Sequence, residues 1–145
     1  MRLSQYFTLE ELTRSSSAER LGLSNAPTVG HTSNLRQLAL ALEAARAALG
    51  HRPLRITSGY RSAAVNRAVG GVRNSDHALG WAADFHVEGL SDLDAATTLA
   101  ASDLPLDQLI LEPGRCVHLS VNPRLRGQRL TQRVLGGPCE AGINP

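Results

Sequence analysis

Apolar positions along this chain repeat with two periods. Over residues 33–49, Leu35, Leu38, Leu42, Ala45 and Leu49 recur near every 3.6 residues, while Arg36, Glu43 and Arg46 fall mostly on other faces. This predicts a long scaffold helix, stopped by Gly50 as its C′ residue. Ahead of it, Thr8-Leu9-Glu10-Glu11 reads as a capping box, with Phe7 placed to act as a hydrophobic staple. A short helix ending near Arg14 should follow, then another turn of helix around 18–21, before Asn25-Ala26-Pro27 breaks the chain. Strands are predicted over 53–58, 81–87, 106–111 and 116–121, the last two joined as a hairpin at Pro113-Gly114. Helices are predicted over 63–69 and 91–101, with Ser62 and Ser91 as N-caps. Between Gly71 and His77 lies a polar loop.

Helices first, then strands mixed with helices, predict a single α+β domain with a small, mainly antiparallel sheet. Residues 1–30 read as an N-terminal helical extension, and 122–145, rich in Gly, Pro and Arg, as an irregular tail. The 145 residues suit one domain over 1–145 with an ordinary core. Aromatics are few, so Leu, Val and Ala must fill that core. No apolar run is long enough to cross a membrane, which argues against insertion. The N-terminus lacks the apolar core of a signal peptide, so a cytoplasmic location is expected until release. All 15 basic residues are Arg, yet the net charge is only +2, too small to suggest a nucleic-acid partner. Arg124, Arg126, Arg129 and Arg133 read as a solvated tail cluster. Cys116 and Cys139 are too few for a disulfide framework.

The stretch 75–84 carries the chemistry. It sets His77 and Asp84 seven residues apart with Gly80 between them. On one helix the pair would stand roughly 10 Å apart along the axis. On one strand they would be about 23 Å apart and on opposite faces. They meet only if the chain folds back, which Gly80 permits. His118 on the predicted hairpin completes a His-Asp-His set, and three protein ligands plus a water is the open arrangement of a catalytic zinc. A general base is then needed, and Glu112 is the candidate. A three-residue loop at 113–115 would pair Glu112 with Cys116 and put it on the face of His118; a two-residue turn would point it away. His86 and Cys116 read as neighbours of the site rather than ligands, Trp81 as core rather than a sugar platform, and Asp76 as a solvated loop residue.

Ser75-x-His77-x-x-Gly80-x-Ala82-x-Asp84, followed by a strand bearing His118, resembles the zinc D-Ala-D-Ala carboxypeptidase family of peptidoglycan metallopeptidases, most of all single-domain phage endolysins. Ser58-Gly59-Tyr60-Arg61-Ser62, Asn66 and Val69-Gly70-Gly71 are similar to the block ahead of that family's first metal ligand. Asp107-Gln108-Leu109-Ile110 and Val117-His118-Leu119-Ser120 resemble its C-terminal hairpin. The resemblance implies a DD-peptidase/hedgehog-like fold with the metal site on the sheet. It implies one zinc per chain on His77, Asp84 and His118, and Glu112 as acid/base. It places Arg61 against a peptide carboxylate and has Ser75 either bonding substrate or bracing the loop. The implied substrate is the peptidoglycan stem peptide, cut by a monomer acting on the wall after release, either as a carboxypeptidase or as an endopeptidase. Two positions depart from the family: Cys116 stands where many relatives have Trp, and Arg115 where dipeptidase-type relatives carry their catalytic Glu. The other class of function is a non-catalytic zinc-containing wall-binding or phage structural module, favoured if Glu112 faces away.

Overall fold

The computed structural model describes residues 1–145. Its helices are α1 (Leu9–Thr13), α2 (Ser16–Leu21), α3 (Val29–Ala48), α4 (Ala63–Ala68), α5 (Asp76–Leu79) and α6 (Asp92–Ala100). Each opens on a Ser or Thr whose hydroxyl accepts a backbone N–H of the first turn. That satisfies a donor the helix cannot satisfy itself. The strands are β1 (Leu54–Ser58), β2 (Ala82–Val87), β3 (Gln108–Glu112), β4 (Cys116–Ser120), β5 (Gln128–Thr131) and β6 (Glu140–Ala141). They form one sheet in the order β1-β2-β4-β3-β5-β6, antiparallel at every pairing except β3 with β5. This is the expected α+β class.

One face of the sheet carries the core. Side chains alternate along a strand, so Ala83, Phe85 and Val87 of β2, Leu109 and Leu111 of β3, and Val117 and Leu119 of β4 all point to the same side. There they pack with Leu35, Leu38 and Leu42 of α3 and Ala95, Ala96 and Leu99 of α6. Phe7 and Leu12 are buried in this same cluster, so α1 and the residue ahead of its cap pack into the core. The opposite face mixes polar side chains with Ala82, Ile110 and Cys116 and carries the candidate site.

Four local expectations are corrected. The long helix starts at Val29, four residues before 33, because Thr28 accepts the His31 N–H at 3.1 Å. Its first turn is solvated, with Val29 91% exposed, so no apolar period marks it. The loop expected to deliver His77 closes into the single-turn α5, capped by Ser75. The tail expected to be irregular adds two strands: β5 lies parallel to β3, with Leu111 opposite Thr131. It lacks an alternating apolar pattern because backbone pairing to β3 and β6, more than side-chain burial, holds it in the sheet. The tail arginines are not simply solvated. Arg126 forks onto the fully buried Asp107 at 2.9 and 2.8 Å, and Arg124 reaches both Asp107 and Asp76. Arg129 donates to the Ala100 and Gly127 carbonyls, and Arg133 pairs with Glu140. No helix is long and apolar enough to cross a membrane.

The Asp107 pair generates a pH prediction. Hydrogen bonds from Arg126 outweigh burial and lower the Asp107 pKa below its ordinary 3.8. A carboxyl depressed on folding contributes stability above its unfolded pKa and loses it as pH falls toward the folded value. Asp107→Asn should therefore cost about 2 kcal/mol near neutrality. In urea titrations the gap between wild type and variant should narrow as pH drops below 3.8. A gap that is flat across that range would contradict this role.

Candidate active site

The register of β2 against β4 places Asp84 directly opposite His118, and β3 sets Ile110 beside His118 in the same row. His118 Nδ1 stands 2.8 Å from Asp84 Oδ1. The other carboxylate oxygen faces His77 Nε2 at 3.3 Å. Donor atoms from His77, Asp84 and His118 all lie within 4.8 Å of one another. The two imidazoles meet edge to face with ring centroids 5.2 Å apart.

His77 is aimed by its other nitrogen. Nδ1 donates to the Gly59 carbonyl at 2.8 Å, which leaves Nε2 as the lone-pair nitrogen facing Asp84. Gly59 follows a bulge in β1, where Thr57 is the extra residue between the Ile56–Phe85 and Ser58–Asp84 pairs. A Cβ on Gly59 would sit 2.3 Å from the Leu12 carbonyl oxygen, so only glycine lets the end of β1 approach α1 this closely. Ser75 accepts the His77 N–H at 3.2 Å, so its hydroxyl braces the first turn of α5.

Charge in the cluster follows from these contacts. Burial acts to raise the Asp84 carboxyl, but the two histidines outweigh it and hold Asp84 well below the usual carboxylate range. For His118, burial acts to lower the pKa and is outweighed by Asp84, with help from Glu112 and Asp76, so the net shift is upward. Cys116 is pushed far up by burial first and by Asp84 and Glu112 next, which keeps it a neutral thiol.

Glu112 pairs with Cys116 across a three-residue loop, and Arg115 N–H closes the turn onto the Glu112 carbonyl. Glu112 therefore lies on the face of His118, and its carboxylate, Cys116 Sγ and Asp84 are mutually within 4.8 Å. Arg115 holds Glu112 Oε1 at 3.2 Å, while Cys116 Sγ sits 3.4 Å from Oε2. Arg61 lies close enough to Asp84 and Glu112 to feel both; burial lowers its pKa and they partly restore it. Its Nε is buried with no hydrogen-bond partner. His86, on the same strand face, is drawn away to Asp92 at 2.8 Å.

A family model for peptidase M15 matches residues 5–120, a span that contains every residue of this cluster. The chain belongs to the peptidase M15 family. A similar protein is the zinc D-Ala-D-Ala carboxypeptidase of Streptomyces albus G, 38% identical over 79 residues. That match covers 54% of this chain and 30% of the relative's length.

Two supports around the M15 cluster are not visible as sequence motifs. Asn25 donates from Nδ2 to the Thr13 and Tyr60 carbonyls at 2.8 and 3.0 Å and accepts the Ser62 N–H at 2.7 Å. It thus grips both neighbours of Arg61, whose own N–H donates to the His77 carbonyl. Asp76, expected as a solvated loop residue, accepts from Ser120 Oγ at 2.6 Å and from Asn122 at 2.9 Å. That ties α5 to the strand bearing His118. In sequence Asn25 looks like a chain breaker before Pro27, and no local signal marks its partners 12 to 37 residues away.

The Asn25 clamp is testable by comparing two variants. Asn25→Ala should lower unfolding free energy by about 1–3 kcal/mol through the unmet partners it leaves. Asn25→Asp should be at least as harmful, because it turns an oxygen toward two carbonyl oxygens. Urea midpoints for both variants check this; an Asp variant as stable as wild type would contradict it.

Proposed function

We propose that this chain is a zinc-dependent peptidase that hydrolyses bonds in peptidoglycan stem peptides. The observation that carries the reading is the convergence of His77 Nε2, Asp84 and His118 Nδ1, with the Glu112 carboxylate alongside Asp84. The donor set fits a zinc ion. Ligand atoms about 2.0–2.2 Å from a tetrahedral zinc stand roughly 3.3 Å apart, and the facing pairs here are 3.3 and 2.8 Å apart. Two imidazoles and one carboxylate also leave a position open, as a catalytic zinc requires. Zinc held by these three residues supplies a Lewis acid that acidifies water and polarises a carbonyl.

The chain's own groups do the rest. Glu112 accepts the proton of the attacking water and returns it to the departing amine. Arg115 on Oε1 orients the carboxylate and leaves Oε2 toward Cys116 and the cluster. Arg61 pairs with a substrate carboxylate, which would satisfy its unmet Nε–H. Ser75 serves the site through His77, whose N–H it holds. The non-catalytic module loses its main support, since that reading needed Glu112 to face away.

Streptomyces albus G carries a relative named as a zinc D-Ala-D-Ala carboxypeptidase, and this likeness supports the cell-wall substrate. The finer reading is a phage or prophage endolysin: residues 1–145 as one monomeric zinc peptidase domain that acts on the wall once released. The single hydrophobic cluster, which joins α1 to the sheet, supports one domain.

Two outcomes are expected. Digestion of purified peptidoglycan should release cut stem peptides with glycan strands intact, and the product masses name the bond; cut glycans would overturn the peptidase reading. Glu112→Gln should lower turnover by about 10²–10⁴-fold while zinc content stays at the wild-type level. Near-normal turnover would remove Glu112 from the mechanism.

A further inference from the structure

A cavity is formed by α4, the loop that follows it and α5. It has a volume of about 610 Å³ and is lined by Ala63, Asn66, Arg67, Gly71, Arg73 and Ala78. Its lining neighbours site residues in sequence: Ala78 follows His77 in α5, and Ala63 stands two residues after Arg61. Three of the six lining residues are Ala or Gly, which leaves room. No acid lines it, and neither Arg67 nor Arg73 takes part in any ion pair of the chain. This sets them apart from Arg115, Arg124, Arg126 and Arg133, which all have carboxylate partners.

The cavity is built rather than incidental. Asn66 is 4% exposed, and its Nδ2 donates to the Val72 carbonyl at 2.8 Å. The Asn66 carbonyl accepts the Gly71 N–H at 2.9 Å, so one residue of α4 fastens the returning loop at two points. Arg73 is thereby brought back to the cavity that Arg67 lines from the last turn of α4. Two arginines lining one small-residue cleft, with no carboxylate among the lining residues, are suited to an anionic group with planar geometry.

We propose that this cleft is a subsite for a substrate carboxylate that lies outside the scissile bond, such as the free α-carboxylate of a γ-linked D-glutamyl residue. The proposal rests on the peptidase reading above. Arg61 takes one carboxylate beside the metal cluster, while Arg67 and Arg73 read a second, farther along the peptide. The enzyme would then prefer stem peptides with that carboxylate free over those with it amidated.

The test uses two synthetic stem peptides that are identical except that the D-glutamyl α-carboxylate is free in one and amidated in the other. Cleavage rates are compared for wild type, Arg67→Gln/Arg73→Gln and Arg73→Glu, with circular dichroism and zinc content as controls on folding. Both arginines are exposed and unpaired, so the variants should fold. Wild type is expected to cut the free-acid peptide with kcat/KM about tenfold higher, a difference of about 1.4 kcal/mol. The double Gln variant should lose that preference, and Arg73→Glu should favour the amide. Equal rates on the two peptides by wild type, or a preference that survives the double variant, would overturn the subsite alone. A wild type that cuts neither peptide would overturn the peptidase reading and the subsite with it.

Discussion

The site depends on one register. Asp84 and His118 face each other across β2 and β4, and this pairing alone brings residues 34 positions apart to 2.8 Å. A slip of one residue would send His118 into the core and Val117 or Leu119 onto the polar face. The slip is opposed by that same alternation, because Val117 and Leu119 are wholly buried against the helices. The apolar face thus fixes the polar one. Hydrophobic burial, which has no direction of its own, is turned into angular precision by the strand period of two.

His77 comes from outside the sheet, so it needs separate support. Two polar arrangements hold it from opposite sides. Gly59, pressed against the Leu12 carbonyl, presents the oxygen that takes His77 Nδ1–H, and Asn25 locks the next residues in place. Asp76 binds the other side of α5 to Ser120 and Asn122, and through Arg124 to the buried Asp107. The N-terminal segment and the C-terminal tail therefore both reach the centre. The tail arginines carry structure here, whereas Arg67 and Arg73, which line the cleft beside α4, have no acidic partner.

Much of this was legible in the sequence, for identifiable reasons. The core strands and α3 have strong apolar periods, and Ser or Thr marks most helix starts. Asp84 and His118 could each be placed on a strand in advance because those strands have a clear pattern, while their direct pairing comes from the register of β2 against β4. Whether Glu112 faced them could not be read, since a loop of two or three residues at Pro113-Gly114-Arg115 suits the same sequence; the hydrogen-bonded register decides it. The tail strands were missed because β5, Gln128-Arg129-Leu130-Thr131, has a single apolar residue and is held by its backbone. Asn25 and Asp76 were missed because their partners are distant in sequence, and a lone polar residue in a loop carries no period. Side chains that act by spanning elements leave no local trace.

The central claim is that His77, Asp84 and His118 form one metal centre. The most direct measurement is a crystal structure of the zinc-loaded protein with anomalous data collected at the zinc edge. The account requires a single strong peak bonded to His77 Nε2, an Asp84 carboxylate oxygen and His118 Nδ1, with Gly59 still accepting from His77 Nδ1. A peak elsewhere, or one held by Cys116 and Glu112 in place of the histidines, would contradict it.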